Sequence, residues 1–114
     1  MGRKQRDISA YRSMWLFAMF DLPVNSPEAR RDYTHFRKAI LRQGFTMLQF
    51  SVYARFCDSE ERADVFRRRL RVQLPPHGEV RFLAVTDCQF GKMEVYYGKK
   101  RAETEKPPEQ LVLF

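Results

Sequence analysis

Ser13-Met14-Trp15-Leu16-Phe17-Ala18-Met19-Phe20-Asp21-Leu22-Pro23 is an apolar run that stops in one carboxylate and then a proline. So continuous a run is expected of a strand covered on both faces at the centre of a sheet. Pro23 ends it, because proline has no N–H to give to a ladder. Asp21 is the polar exception. A carboxylate carried to the end of a sheet just before a helix is placed either to bind a cation or to accept backbone hydrogen bonds at the helix entry. The residues alone leave both open.

Working outward, Ser26-Pro27 reads as an N-cap followed by proline at the first helical position, with Glu28 and Asp32 near the positive end of the helix. Ala29, Tyr33, Phe36 and Ile40 then recur at helical spacing until Gly44 closes the element. Residues 45–57 are aromatic and β-branched but too long for one strand, so a short strand, a bend near Gln49 to Ser51 and a second strand are expected. Ser59 caps a second helix that reaches about Gln73, with Ala63, Phe66, Leu70 and Leu74 as its apolar stripe, and Pro75-Pro76-His77-Gly78 ends it. Glu79 to Thr86 alternates as a strand; Gln89 to Tyr97 is weaker, a strand or turn followed by a short element.

The order β, α, β, β, α, β predicts an α+β, ferredoxin-like βαββαβ sandwich, an antiparallel sheet with both helices on one face. Phe-rich strands leave a second face to cover, which argues for a symmetric homodimer packed there. The expected organisation is a basic tail over 1–12, the domain over 13–98, a charged linker over 99–109 and a terminal strand over 110–114. That last segment, Gln110-Leu111-Val112-Leu113-Phe114, carries large apolar residues that are costly to expose. It is expected to add a strand to the partner's sheet edge, or else to dock on its own sheet.

At 114 residues there is room for one sheet and one helix layer. Lys and Arg number 21 against 14 Asp and Glu, a surplus of +7 that predicts a polyanionic partner, nucleic acid ahead of a membrane surface. Cys57 and Cys88 lack metal spacing and are expected to be reduced thiols at strand ends, which suits a cytoplasmic home. The apolar run from Met14 to Phe20 is too short for a membrane span or an export signal.

Serine hydrolase and cysteine protease chemistry lack a nucleophile elbow or a placed His, and no glycine loop could cradle a phosphate. The Arg-Gly-aromatic signature of RNA-recognition modules is replaced by Gln49-Phe50-Ser51-Val52-Tyr53. The Arg density and the missing ligand loop also disfavour a small-ligand regulatory module. Asp21 remains. One carboxylate rarely holds Mg²⁺ or Mn²⁺, whereas two copies at a dimer axis would, and the shared cation would activate water against a phosphodiester. Ser51 and Tyr53 would line the same groove if their strand neighbours the first.

The strand ending Phe20-Asp21-Leu22-Pro23, the helix closing in Gln43-Gly44-Phe45, the segment Met47-Leu48-Gln49-Phe50-Ser51-Val52-Tyr53 and the end Leu111-Val112-Leu113-Phe114 together resemble the small subunit of the CRISPR adaptation complex. This is the second universal CRISPR-associated family (Cas two), of the variety found with single-effector type II systems. The resemblance covers about residues 13–114. It implies a homodimer whose last strand completes the partner's sheet, held between two dimers of the large integrase subunit. Its role would be to scaffold a double-stranded DNA prespacer during spacer acquisition. It also implies a metal-dependent endonuclease, acting on RNA or DNA, with Asp21 of each protomer flanking one divalent cation. Duplex contacts would be to phosphate, from Arg30, Arg31, Arg37 and Arg42, with Arg55, Lys99, Lys100 and Arg101 as further candidates.

Removing residues 110–114 is expected to turn the dimer into monomer or aggregate on size-exclusion chromatography. An unchanged dimer would contradict the strand exchange.

Overall fold

A computed structural model describes residues 12–108; the basic tail before them and the terminal strand expected over 110–114 lie outside the described residues. The elements run β1 (Met14–Asp21), α1 (Pro27–Arg42), β2 (Thr46–Gln49), β3 (Val52–Cys57), α2 (Glu60–Arg71) and β4 (Glu79–Thr86). A short helix α3 (Asp87–Gly91) and two short strands, β5 (Val95–Tyr97) and β6 (Lys100–Ala102), follow. The main sheet has the order β2-β3-β1-β4, and every pair in it is antiparallel, the ferredoxin-like arrangement.

β1 is apolar from Met14 to Phe20 because both of its edges and both of its faces are occupied. Leu16, Ala18 and Phe20 join Phe36, Ala39 and Ile40 of α1 and Ala63, Phe66 and Leu70 of α2 in the larger core. Trp15 and Phe17 face the other way, where Ala54 and Phe90 bury them. Alternate residues of a strand point to opposite faces, so Met19 and Asp21 lie on the face of Trp15. Fully burying each large side chain stabilises the fold by about 1.5–3 kcal/mol, which makes β1 the costliest element to alter.

Both helices start as the sequence indicates. The Ser26 hydroxyl accepts from the Ala29 N–H at 3.0 Å and the Ser59 hydroxyl from the Arg62 N–H at 3.1 Å. Residues 45–57 divide at the two-residue turn Phe50-Ser51, where Ser51 takes φ of 62°. The register steps from Met47↔Tyr53 to Gln49↔Val52, leaving Leu48 as a bulge.

Two segments differ from the expectation. Asp87 to Gly91, where the sequence predicts a weak strand or turn from Gln89 on, is a helix. It is nucleated by a capping box between Thr86 and Gln89 and held down by Phe90, whose ring stacks on Trp15 at 4.0 Å. The Trp15 indole N–H donates to Asp87 Oδ1 at 2.7 Å. Cys88 therefore sits on a short helix and not at a strand end, while Cys57 does end β3. Lys100–Ala102, assigned to the linker, pairs with Val95–Tyr97 in a hairpin turning at Gly98.

Gly78 immediately precedes β4 with φ of 93°. A Cβ there would lie 2.7 Å from the Leu22 side chain and 2.8 Å from the Asp21 carbonyl oxygen. Only glycine tolerates both the conformation and the approach, so this residue brings the start of β4 against the end of β1. Gly78→Ala is expected to destabilise by roughly 1–3 kcal/mol in urea unfolding. Gly91→Ala, with nothing within 4 Å of its added methyl, should be neutral or better. Equal effects would show that Gly78 has no such role.

Candidate phosphodiester site and nucleic-acid surface

Asp21 is exposed at the end of β1, and its Cα register partner in β4 is Glu79. Directly opposed residues point to the same face, so two carboxylates stand side by side at the end of the sheet. Glu79 is engaged by Arg81, whose Nε–H donates to Glu79 Oε1 at 2.7 Å while Nη2 pairs with the same oxygen. Opposite them the Phe50-Ser51 turn closes the rim. The Phe20 N–H donates to the Ser51 carbonyl at 3.1 Å, continuing the β1–β3 ladder. The Ser51 hydroxyl lies 3.4 Å from Tyr33 Oη, which engages it on the helix side. The Phe50 ring is 81% exposed, resting near Tyr33 with centroids 6.4 Å apart.

Asp21, Glu79, Arg81, Phe50 and Ser51, with Met19, Phe20 and Val52, line a depression of about 240 Å³. Asp21 and Ser51, singled out in the sequence, do come together in it. Tyr53 does not: it is buried under α1, stacked on Phe20 at 5.7 Å. Glu79 and Arg81 were missed, because only the β1–β4 register places them there.

The chemistry of the donor set bears on a cation. Among the described residues no group of three or more His, Cys, Asp or Glu side chains forms a cage. Asp21 and Glu79 of one protomer still supply carboxylate oxygens, and Mg²⁺ is often bound by one or two carboxylates, waters and substrate phosphate. A second copy of the pair would complete such a site.

The candidate basic residues fall into separate groups. Arg30, Arg31 and Arg42 are exposed along α1; Arg30 Nη1 donates to the Val24 carbonyl at 3.1 Å, and Arg30 and Arg31 share an open depression of about 710 Å³ with His35 and Lys38. Arg37 is exposed on the same helix, but its Nε donates to the buried Tyr53 hydroxyl at 3.2 Å. Arg55 turns inward. Its Nε and Nη1 donate to the Gln43 and Phe56 carbonyls at 2.7 and 2.6 Å, and its guanidinium lies 3.8 Å from the Phe66 ring centroid. It ties the end of α1 to β3 and α2, and packing accounts for it. Burial pushes the neighbouring Cys57 thiol above its ordinary value, an effect Arg55 partly offsets. Lys99, Lys100 and Arg101 sit apart on the β5–β6 hairpin, where Arg101 is 3.8 Å from Glu94.

α2 adds a basic face of its own, with Arg62, Arg67, Arg68, Arg69 and Arg71 exposed. Arg67 pairs with Asp64. Arg62 and Arg69 lie 5.6 and 5.3 Å from the Phe66 ring centroid. Among the described residues, no helix is long and apolar enough to cross a membrane.

Comparison with known proteins bears directly on this arrangement. The family model for CRISPR associated protein Cas2 matches residues 14–93, from the first residue of β1 to just beyond α3. A protein of Parvibaculum lavamentivorans is 54% identical over 101 residues, spanning 89% of this chain and 100% of its own length. One of Flavobacterium psychrophilum is 49% identical over 107 residues, covering 94% and 93% of the two chains. One of Paracidovorax avenae is 41% identical over 107 residues, covering 94% and 99%. All three bear the name CRISPR-associated endoribonuclease Cas2. The match takes in both the strand that ends in Asp21 and the turn that faces it, and the chain belongs to the CRISPR-associated Cas2 family.

Proposed function

We propose that this Cas2-family chain works as a homodimeric, DNA-binding scaffold in spacer acquisition, holding a prespacer duplex by its backbone and bridging dimers of the large integrase subunit. The observation that carries the reading is the outer face of α1, where Arg30, Arg31 and Arg42 are exposed on one 16-residue helix. Cations on a rigid rod at helical spacing suit sequence-independent phosphate contact, which a protein that must accept any spacer requires. The sheet face opposite the helices supports the dimer. Leu83 is 51% exposed there and Met19 and Val52 are half-buried, an apolar strip that a second copy would cover. A two-fold axis near that strip would bring the two Asp21 ends toward each other.

The Asp21 depression, together with the endoribonuclease named in the relatives, favours a second reading in which the same dimer cleaves a phosphodiester. Asp21 and Glu79 of the two protomers would hold Mg²⁺ or Mn²⁺, and the cation would supply Lewis-acid activation of water at the phosphate. The exposed Phe50 ring beside the carboxylates offers a surface on which a base could stack.

Two results are expected. The double reversal Arg30→Glu, Arg31→Glu should weaken duplex binding in a gel-shift salt series and flatten the dependence of log K on log salt by about one for each phosphate no longer neutralised; an unchanged slope would place the duplex elsewhere. Asp21→Ala should retain duplex binding and spacer acquisition while losing Mg²⁺-dependent cleavage of RNA by about a hundredfold or more. It should also gain up to about 1 kcal/mol in urea unfolding, because like charges directly opposed on a sheet destabilise it. Metal-dependent cleavage that survives the substitution would remove Asp21 from the chemistry, and failed acquisition with assembly intact would mean the scaffold role is not purely structural.

A further inference from the structure

We propose that Arg81 is the residue that takes a nucleic-acid phosphate at the Asp21 depression; this rests on the reading that nucleic acid passes over that end of the sheet. Arg81 is opposite Met19 in the β1–β4 register, one diagonal step from Asp21. Alternation puts it on the same face as Glu79 and Asp21. Diagonal neighbours in a sheet are within reach of long side chains, and Arg81 lines the same depression as Asp21, the one cationic side chain among the described residues that does so.

The electrostatics of the patch call for such a residue. A phosphodiester approaching Asp21 meets two carboxylates side by side, an arrangement that repels it. A divalent cation can neutralise the carboxylates, but a bound strand must also be held in register. Guanidinium presents a planar fork that fits phosphate oxygens, which a point charge does not. Glu79 fixes the starting position. Two of the five guanidinium N–H groups go to its Oε1, leaving the others for a second acceptor. As an ion pair in its own right this contact does little, since both side chains are well exposed, 73% and 59%, and exposed pairs contribute little to stability. Its effect is to keep a long side chain beside the depression instead of free in solvent.

The plain alternative is a solvated surface pair with no ligand, and binding energetics separate the two. The full-length protein and its Arg81→Ala, Arg81→Lys and Asp21→Ala variants would be titrated against a fluorescein-labelled single-stranded RNA and a labelled DNA duplex. Anisotropy would be read in EDTA across a salt series, with size-exclusion profiles of the same samples. For at least one probe, Arg81→Ala should weaken binding about tenfold and lower the slope of log K against log salt by about one for each Arg81 engaged. Arg81→Lys should restore the slope but only part of the affinity. Asp21→Ala should bind at least as tightly as the wild type, its repulsion removed.

Unchanged affinity and slope in Arg81→Ala would overturn the proposal. So would a Lys variant that fails to restore the slope, or an altered elution that makes Arg81 a subunit contact. Cleavage of the RNA in Mg²⁺ is scored separately. If it is absent or independent of Asp21, the cleavage reading falls, while the EDTA titrations still decide the role of Arg81. Failure of the wild type to bind either probe at low salt would overturn both.

Discussion

β1 is hydrogen-bonded along both edges and packed on both faces, and the rest of the domain is arranged to make that so. β3 and β4 occupy its edges, the two long helices cover Leu16, Ala18 and Phe20, and α3 folds back to put Phe90 on Trp15. The strand can be fully satisfied only over its length. Where it ends, the carboxylate of Asp21 emerges beside Glu79 on one side and the Phe50-Ser51 turn on the other. The site is thus a consequence of how the central strand terminates, with Gly78 permitting the close approach that sets Glu79 opposite Asp21.

Elements with strong local signals are legible without coordinates. The caps at Ser26 and Ser59, the helical spacing of Phe36 and Ile40, and the unbroken apolar run of β1 each carry their own evidence, and from them the ferredoxin-like order followed. The split of residues 45–57 was legible for the same reason, since a strand of that length must break. α3 and the β5–β6 hairpin were not, because elements of three to five residues owe little to propensity. Thr86 and Gln89 cap the helix locally, but what holds Phe90 down is its stacking on Trp15, a contact between residues far apart in sequence.

The site was half legible. Asp21 stood out as the lone charge in an apolar run, and Ser51 as a polar residue in the facing strands. Glu79 and Arg81 look like an ordinary polar alternation at a strand start and gain meaning only from antiparallel register. Arg55 illustrates the opposite error. Among so many arginines it reads as one more surface cation, yet its guanidinium lies over Phe66 and bonds two backbone carbonyls. Charge counts raise the expectation of a polyanionic partner; they could not say which cations are spent on the fold.

The two proposed functional surfaces are complementary in charge. Helix α1 offers exposed cations that suit a phosphate backbone, whereas the Asp21 end offers carboxylates that suit a cation, tempered by Arg81. Membership of the Cas2 family fits a chain carrying both, and a dimer joined through the apolar sheet face would give each surface a two-fold mate. In such a dimer the two Asp21 carboxylates would lie near the two-fold axis. A single spin label at residue 21, with Cys57 and Cys88 replaced, reports the inter-protomer separation by pulsed dipolar spectroscopy. A separation comparable to the 20 Å shortest dimension of one protomer is the expected result; one approaching its 56 Å longest dimension, or no coupling at all, would contradict a site completed by the second copy.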